Sequence, residues 1–304
     1  MKKQEIINRI IKLRPFYYLS MRKGRFLYSP IKTIIFYFLV FFNKYSPIKI
    51  KIRAKTIFGD DIFGYSSAGI GTIYYLGFQD PKLTLFFIKN LNLGDTFIDI
   101  GSNLGYYSLL AKSSVGLRGK IYSFEPTPRT FKILKENTIN FKNIKINQLA
   151  LLDKEGLVFF TDYGLQYSVF NTLNKRIEKD FFDGRKTKTI KIKTIILDEY
   201  CKKNNIKPDF IKIDAEGAEH LILQGMSYVL KSLKPIIGLE MGGGEEWKKK
   251  CQKSAKILLK NNYLPFEITF EGNLDRTIIK EKYEHENLIF VPKEKIKLYH
   301  KLFV

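Results

Sequence analysis

Five short apolar runs punctuate the chain: "TFIDI" (96–100), "GKIYSFE" (119–125), "IKINQLAL" (144–151), "DFIKID" (209–214) and "PIIGLE" (235–240). Their nearly continuous apolar content predicts strands buried on both faces. Segments with helical spacing separate them. One helix is expected over 104–114. A second begins at Thr127, which can cap it, with Pro128 at the first helical position and Phe131 and Leu134 on one face. A third follows Glu216, and a fourth covers 245–261 with Trp247, Cys251, Leu258 and Leu259 turned inward. Alternation of strand and helix at this spacing predicts right-handed crossovers and a parallel sheet.

Two stretches break the alternation. Between Asp153 and Pro208, "EGLVFFTDYGLQYSVFNTL" and "KTKTIKIKTIILDEY" alternate with period two, which predicts antiparallel strands inserted between sheet strands three and four. Near the end, "YLPFEITFEGN" and "ENLIFVP" are joined by a loop too short for a crossover helix, so they read as an antiparallel pair that closes the sheet.

A length of 304 residues is enough for a full core, and 45% hydrophobic with 14% aromatic residues excludes an unfolded chain. The two cysteines, Cys201 and Cys251, lie far apart and match neither a zinc site nor a disulfide framework, which points to a reducing, cytoplasmic compartment. The formal charge of +22 resembles a nucleic-acid signal, but net charge bears on solubility and non-specific binding rather than on fold.

Charge is most concentrated at the amino terminus. Eleven lysines and arginines in the first fifty residues face a single acid, Glu5. Among them lies "TIIFYFLVFF" (33–42), about half the roughly 20 apolar residues a spanning helix needs. It starts too late, and lacks the small-residue cleavage site, to be an ordinary secretory signal. Two readings remain: an interfacial helix on an anionic membrane surface, using residues 1–45, or a helix capping the domain core.

In an open parallel sheet, ligands sit beyond the carboxyl ends of the strands, where strand order reverses. The residues there are Asp99 and Gly101, Glu125, Leu151 to Asp153, Asp214 with Glu216, and Glu240. So many carboxylates on one edge repel phosphate. The first turn, "DIGSNLG", has no lysine after Gly105 to make a phosphate loop, and lacks the middle glycine of a dinucleotide turn. What remains is a ligand with a ribose and no phosphate. Glu125, its geometry fixed by Pro126, can accept from both ribose hydroxyls, and the acidic edge welcomes cations. S-adenosyl-L-methionine meets that description, with an ammonium and a sulfonium that Asp99 or Asp214 can offset.

These segments, "FIDIGSNLGYYSLLA", "IYSFEPTP", "TIILDEY" and above all "PDFIKIDAEGAEHLILQG", resemble the FkbM family of S-adenosylmethionine-dependent methyltransferases, and "IIGLEMGG" fits its fifth strand. The resemblance covers 58–292. It implies a class I (Rossmann-like) α/β fold: a doubly wound seven-stranded sheet, mostly parallel with an antiparallel last strand, here with a β-rich insertion between strands 3 and 4. It also implies O-methylation of a hydroxyl on a sugar or glycan acceptor. The family's cofactor-loop residues fall on Asp99, Gly101, Asn103 and Gly105, its ribose acid on Glu125, and its D-x-E-G motif on Asp214, Glu216 and Gly217. Pro126, Leu151 and Asp153 complete the expected cofactor edge. A basic helical extension over 1–55 would precede a methyltransferase domain over 56–304.

A sugar hydroxyl is a poor nucleophile near neutral pH and needs a base or a metal. Asp214 is the first candidate, as base or as the group that orients the hydroxyl, and Glu216 the second; clustered carboxylates should raise each other's pKa. A magnesium route through Asp214, Glu216 and Glu240 is the alternative, and the site is read as metal-free. His220 stands where the family varies and is assigned no role. Tyrosines 65, 74, 75, 163 and 167, with the insertion over 156–193, are expected to cover the cofactor edge, either stacking on sugars or as core under loops. Two other classes fit less well. A nucleic-acid methyltransferase usually presents an aromatic clamp after the fourth strand, where this chain has "DAEG", and a decayed, non-catalytic fold would not keep Asp99, Glu125 and Asp214 together.

Overall fold

The computed structural model describes residues 3–19, 26–46, 48–65, 67–162, 188–242 and 245–302. Helices α1 (Lys3–Tyr18) and α2 (Pro30–Tyr45) lead into an antiparallel pair, β1 (Ile52–Lys55) and β2 (Asp61–Gly64), and then α3 (Ser67–Leu76) and α4 (Pro81–Asn90). The alternating region follows: β3 (Thr96–Ile100), α5 (Tyr106–Val115), β4 (Lys120–Phe124), α6 (Pro128–Thr138) and β5 (Ile144–Asn147). After a small sheet of β6 (Ala150–Leu151), β7 (Gly156–Asp162) and β8 (Lys188–Ile195), it resumes with α7 (Leu197–Asn204), β9 (Phe210–Ile213), α8 (Glu219–Gln224), β10 (Ile236–Met241) and α9 (Glu245–Lys260). Strands β11 (Tyr263–Ile268), β12 (Leu274–Arg276) and β13 (Glu286–Pro292) end the main sheet.

That sheet runs β12-β11-β13-β10-β9-β3-β4-β5. Strands β10, β9, β3, β4 and β5 are mutually parallel, so chain order reverses at β3 and opens a crevice at its carboxyl end. Strand β13 is antiparallel to both β10 and β11 and wedges between them; its antiparallel direction is the one the family resemblance implies. The three residues of β12 extend the expected seven strands to eight.

Two expectations change in detail, and a third is met in part. The single run 144–151 is two strands, because the chain leaves the main sheet after Asn147 and Ala150 and Leu151 pair with β8 instead. The insertion pairs β7 with β8 antiparallel, as the alternation predicts, but its tip at 163–187 lies outside the described residues, and Tyr163 and Tyr167 with it. Thr127 does occupy the cap position of α6, yet its side chain makes no capping bond.

Each central strand feeds two cores. Phe97, Ile121 and Phe210 point to a layer that includes Phe87, Leu109 and Leu110, while Ile98, Ile100, Ile211 and Ile213 point to one that includes Ile222, Leu230 and Leu258. Each fully buried aliphatic or aromatic side chain contributes about 1.5–3 kcal/mol. The amino-terminal helices join the first layer. Helix α1 buries Ile6, Ile7, Ile10 and Leu13 there, and Arg14 donates to the Phe270 carbonyl at 2.6 Å. Helix α2 buries Thr33, Phe36 and Asn43, with Phe36 against Tyr74 and Tyr75 at 5.2 Å. No helix among the described residues is long and apolar enough to cross a membrane.

Candidate active site

The crevice holds a cavity walled by β3, β4, the insertion and the loop after β9. Gly101, Asn103, Glu125, Pro126, Leu151, Asp214 and Glu216 all face it, so seven residues expected from far-apart segments meet in one place. Gly101 makes the closest approach. Its φ is +75°, and a Cβ there would lie 1.7 Å from the Asp214 carbonyl oxygen, so only glycine lets the first turn lie against the loop after β9.

Glu125 is buried at the end of β4. Its Oε2 accepts from the Asn103 amide at 3.1 Å and its Oε1 from the Thr127 amide at 2.9 Å. Burial pushes its pKa up to about 7 against the pull of those N–H groups. Asn103 sits at φ +49°, and its buried Oδ1 has no hydrogen-bond partner among the described residues. Leu152, Thr127 and Phe160 also line it. Sequence reading placed Leu152 at this edge, took Thr127 only as a helix cap and passed over Phe160, since nothing separates a wall residue from a core residue before the insertion folds back.

Three expected cofactor residues stand elsewhere. Asp99 is fully buried beneath the cavity and does not line it; Ser108 Oγ donates to its Oδ2 at 2.6 Å and Ser102 Oγ to its carbonyl at 2.8 Å. Gly105 lies at the cap of α5 with φ +92°, packed against Leu134, and shapes the turn from behind. Asp153 is exposed beyond Leu152, outside the lining. Tyr75 is buried and Tyr65 and Tyr74 pack against the core, so these three belong to the reading of core under loops.

Lys212 is the residue the sequence reading missed. It lies in the middle of β9, opposite Asp99 on β3, and is buried. Its Nζ is 2.9 Å from Asp214 Oδ2, 3.9 Å from Asp99 Oδ1 and 5.0 Å from the centre of the Tyr107 ring. The available signal was a lysine inside the otherwise apolar run "DFIKID", because a lysine is rarely buried without a charged partner.

The pKa values of the carboxylates are shifted in opposite directions. For Asp214, burial raises the pKa, but the charge and hydrogen bond of Lys212 together with a hydrogen bond to Glu240 outweigh it and hold the group below the usual carboxylate range. Burial and the neighbouring Asp214 push Glu216 well up, and burial with Asp214 and Glu216 does the same to Glu240. Mutual elevation thus holds for two of the three acids and fails for Asp214, which has Lys212 beside it and a hydrogen bond to Glu240. Oxygens of Asp214, Glu216 and Glu240 lie within 4.8 Å of one another, a spacing open both to a shared cation and to protonated acids. Glu219 Oε1 accepts from the Ala215 and Gly217 amides at 2.9 and 3.1 Å and braces the loop, where Glu216 takes φ +48°. His220 does not line the cavity, and its pKa is lowered by burial.

A second, more polar cavity includes Tyr18 of α1, Asp80, Lys82, Lys280, His285 and Asn287. Asn287 pairs with Glu240 across β13 and β10 and donates to Asp80 Oδ2 at 2.8 Å, so this cavity borders the carboxylate cluster on the side of β13.

Known proteins align with this core. The hexuronic acid methyltransferase AglP of Haloferax volcanii is 28% identical over 177 residues, 58% of this chain and 65% of the relative, so the chain spans a little under two thirds of that protein's length. Among solved structures, a methyltransferase FkbM from Methylobacillus flagellatus aligns at 14% identity and a TM-score of 0.43, over 72% of this chain and 49% of the other. An O-methyltransferase from Bacillus cereus in complex with SAH aligns at 12% identity and a TM-score of 0.40, over 69% and 79%. The methyltransferase FkbM domain profile matches residues 99–267, more than half of the chain and the whole of the Gly101, Glu125 and Asp214 crevice, and the protein belongs to the FkbM methyltransferase family.

Proposed function

We propose that the protein is an S-adenosyl-L-methionine-dependent O-methyltransferase whose acceptor is a hydroxyl of a sugar or glycan. The observation that carries this reading is Glu125, a buried carboxylate at the strand end, fixed by two backbone amides and facing a cavity that no lysine or arginine lines among the described residues. The residues fit the donor. Glu125 suits the ribose hydroxyls, Leu151, Leu152 and Phe160 suit an apolar base, the unpartnered Asn103 Oδ1 can accept from an ammonium, and ionised Asp214 suits positive charge.

When bound, the donor supplies an activated methyl on sulfur, and the protein's share is alignment and proton handling. Alignment alone is worth about 7–11 kcal/mol in well-oriented reactions. Asp214, kept ionised by Lys212, orients the acceptor hydroxyl by accepting its hydrogen bond. Its lowered pKa makes it a weak base, so the raised carboxyls of Glu216 and Glu240 are better matched to hold the departing proton near neutrality.

The acceptor enters from the second cavity. Carboxylates, lysines, an amide and an exposed tyrosine are the groups that bind a polyhydroxyl ring, and Lys82 would complement an acidic sugar such as the hexuronate named for the Haloferax relative. The test is transfer of labelled methyl from the donor into fractionated glycans, lipids and RNA. Label in the glycan or glycolipid fraction supports the reading; label confined to RNA, or none with any fraction, rejects it.

A further inference from the structure

Helix α2 carries a feature that methyl transfer does not use. Its buried face is narrow: Thr33, Phe36 and Asn43. Asn43 pins it, donating to the Ile50 and Tyr65 carbonyls at 2.8 and 2.6 Å and accepting from the Ile50 amide at 2.6 Å. The opposite face is apolar and bare. Ile31, Ile34, Phe38, Phe41 and Tyr45 are each between 63 and 71% exposed, and the spacing of three and four residues sets them in one stripe along the whole helix. A held helix with a continuous aromatic and aliphatic stripe in water marks an interaction surface.

The geometry points to an anionic lipid surface as the occupant, with α2 lying flat in the membrane interface. At 16 residues the helix is roughly 24 Å long, short of the hydrocarbon thickness of about 30 Å, so it cannot span. The sequence around the helix suits lipid headgroups, with eleven lysines and arginines against one acid over residues 1–50; among them exposed Lys32 lies over the Tyr74 ring and exposed Lys49, just past the helix, donates to the Asn43 and Ser46 carbonyls. The same charge argues against a second copy of this chain, because apposed copies of α2 would bring two strongly basic segments together. Apolar contact and charge together are what a stable peripheral attachment requires. This inference does not depend on the acceptor proposed above.

Co-sedimentation of the full chain with phosphatidylcholine vesicles, with and without phosphatidylglycerol, tests it. The expected result is binding to the anionic vesicles, weakened by salt, and little binding to the neutral ones. Phe38→Glu combined with Phe41→Glu alters only exposed side chains; it should lower anionic-vesicle binding by about tenfold or more. Its melting temperature and its donor affinity by calorimetry should match wild type. Absence of wild-type binding to anionic vesicles, or equal binding by the double variant, overturns the inference. So does a wild-type dimer in solution that the double variant converts to monomer without any vesicle binding, which would assign the stripe to a second copy.

Discussion

Lys212 Nζ lies 2.9 Å from Asp214 Oδ2, two residues further along the same chain, with the buried Asp99 carboxylate 3.9 Å away on the neighbouring strand. Burial lowers the pKa of Lys212, yet Asp214 and Asp99 outweigh it and leave the lysine above its ordinary value, while Asp99, deeper still, is raised by burial. Lys212 and Asp214 therefore each favour the charged form of the other.

Replacing that lysine should be costly twice over. Lys212→Met leaves Asp214 without its counter-charge, and breaking such a pair costs about 3–5 kcal/mol, toward the lower figure here because Asp214 keeps some contact with water. Denaturant unfolding checks the stability loss, and turnover should also fall as Asp214 protonates more readily. The raised Lys212 contributes stability that is fully present below pH 10.5 and lost as pH rises through its folded pKa; the lowered Asp214 contributes stability present above pH 3.8 and lost as pH falls through its folded pKa. Wild type should hold this contribution between those limits, and the variant should lack it.

Glu125 predicts a pH-dependent cofactor affinity. Its folded pKa of about 7 means that ribose hydroxyls, which donate to the ionised form, bind better as pH rises from about 6 to about 8. Calorimetric titration should show tighter binding at the higher pH with proton release to buffer. Glu125→Gln should flatten that dependence, and Glu125→Ala should weaken binding by about tenfold or more, roughly 1.4 kcal/mol. The same raised pKa stabilises the ligand-free fold below pH 4.5, and that contribution disappears as pH climbs through about 7.

Gly101 tolerates no side chain. Gly101→Ala combines a positive φ with a methyl 1.7 Å from the Asp214 carbonyl, so the loop after β9 must move. A loss of about 3 kcal/mol is expected in thermal or denaturant unfolding, together with loss of cofactor binding.

The division of labour among the acids is separable by kinetics. Asp214→Asn should keep the fold and lower turnover at least about tenfold across the pH range, because an amide orients a hydroxyl less well than a carboxylate. Glu216→Gln should instead remove or shift one limb of the pH–rate profile if Glu216 holds the proton. A profile identical to wild type would transfer that role to Glu240.

Much of the fold is local information. The five apolar strands, the helices between them, the antiparallel closing pair and the carboxylates that end the strands follow from hydrophobic spacing and from where strands must stop, and Gly101, Glu125 and Asp214 belonged to a motif dense enough to identify the family before any coordinates. Other properties depend on which side chains meet across the sheet. Lys212 meets Asp99 only because β9 lies in register beside β3, whereas its contact with Asp214, two residues on, is local; burial and the neighbours across the sheet set the pKa order of the acids, which their spacing alone does not show. The same holds for Asp99, an apparent cofactor residue by position that strand pairing buries among Ser108, Ser102 and the lysine. For α2, composition left capping and lipid contact as alternatives, and packing showed one face bound to the core and the other bare, because an exposed stripe is defined by what fails to cover it.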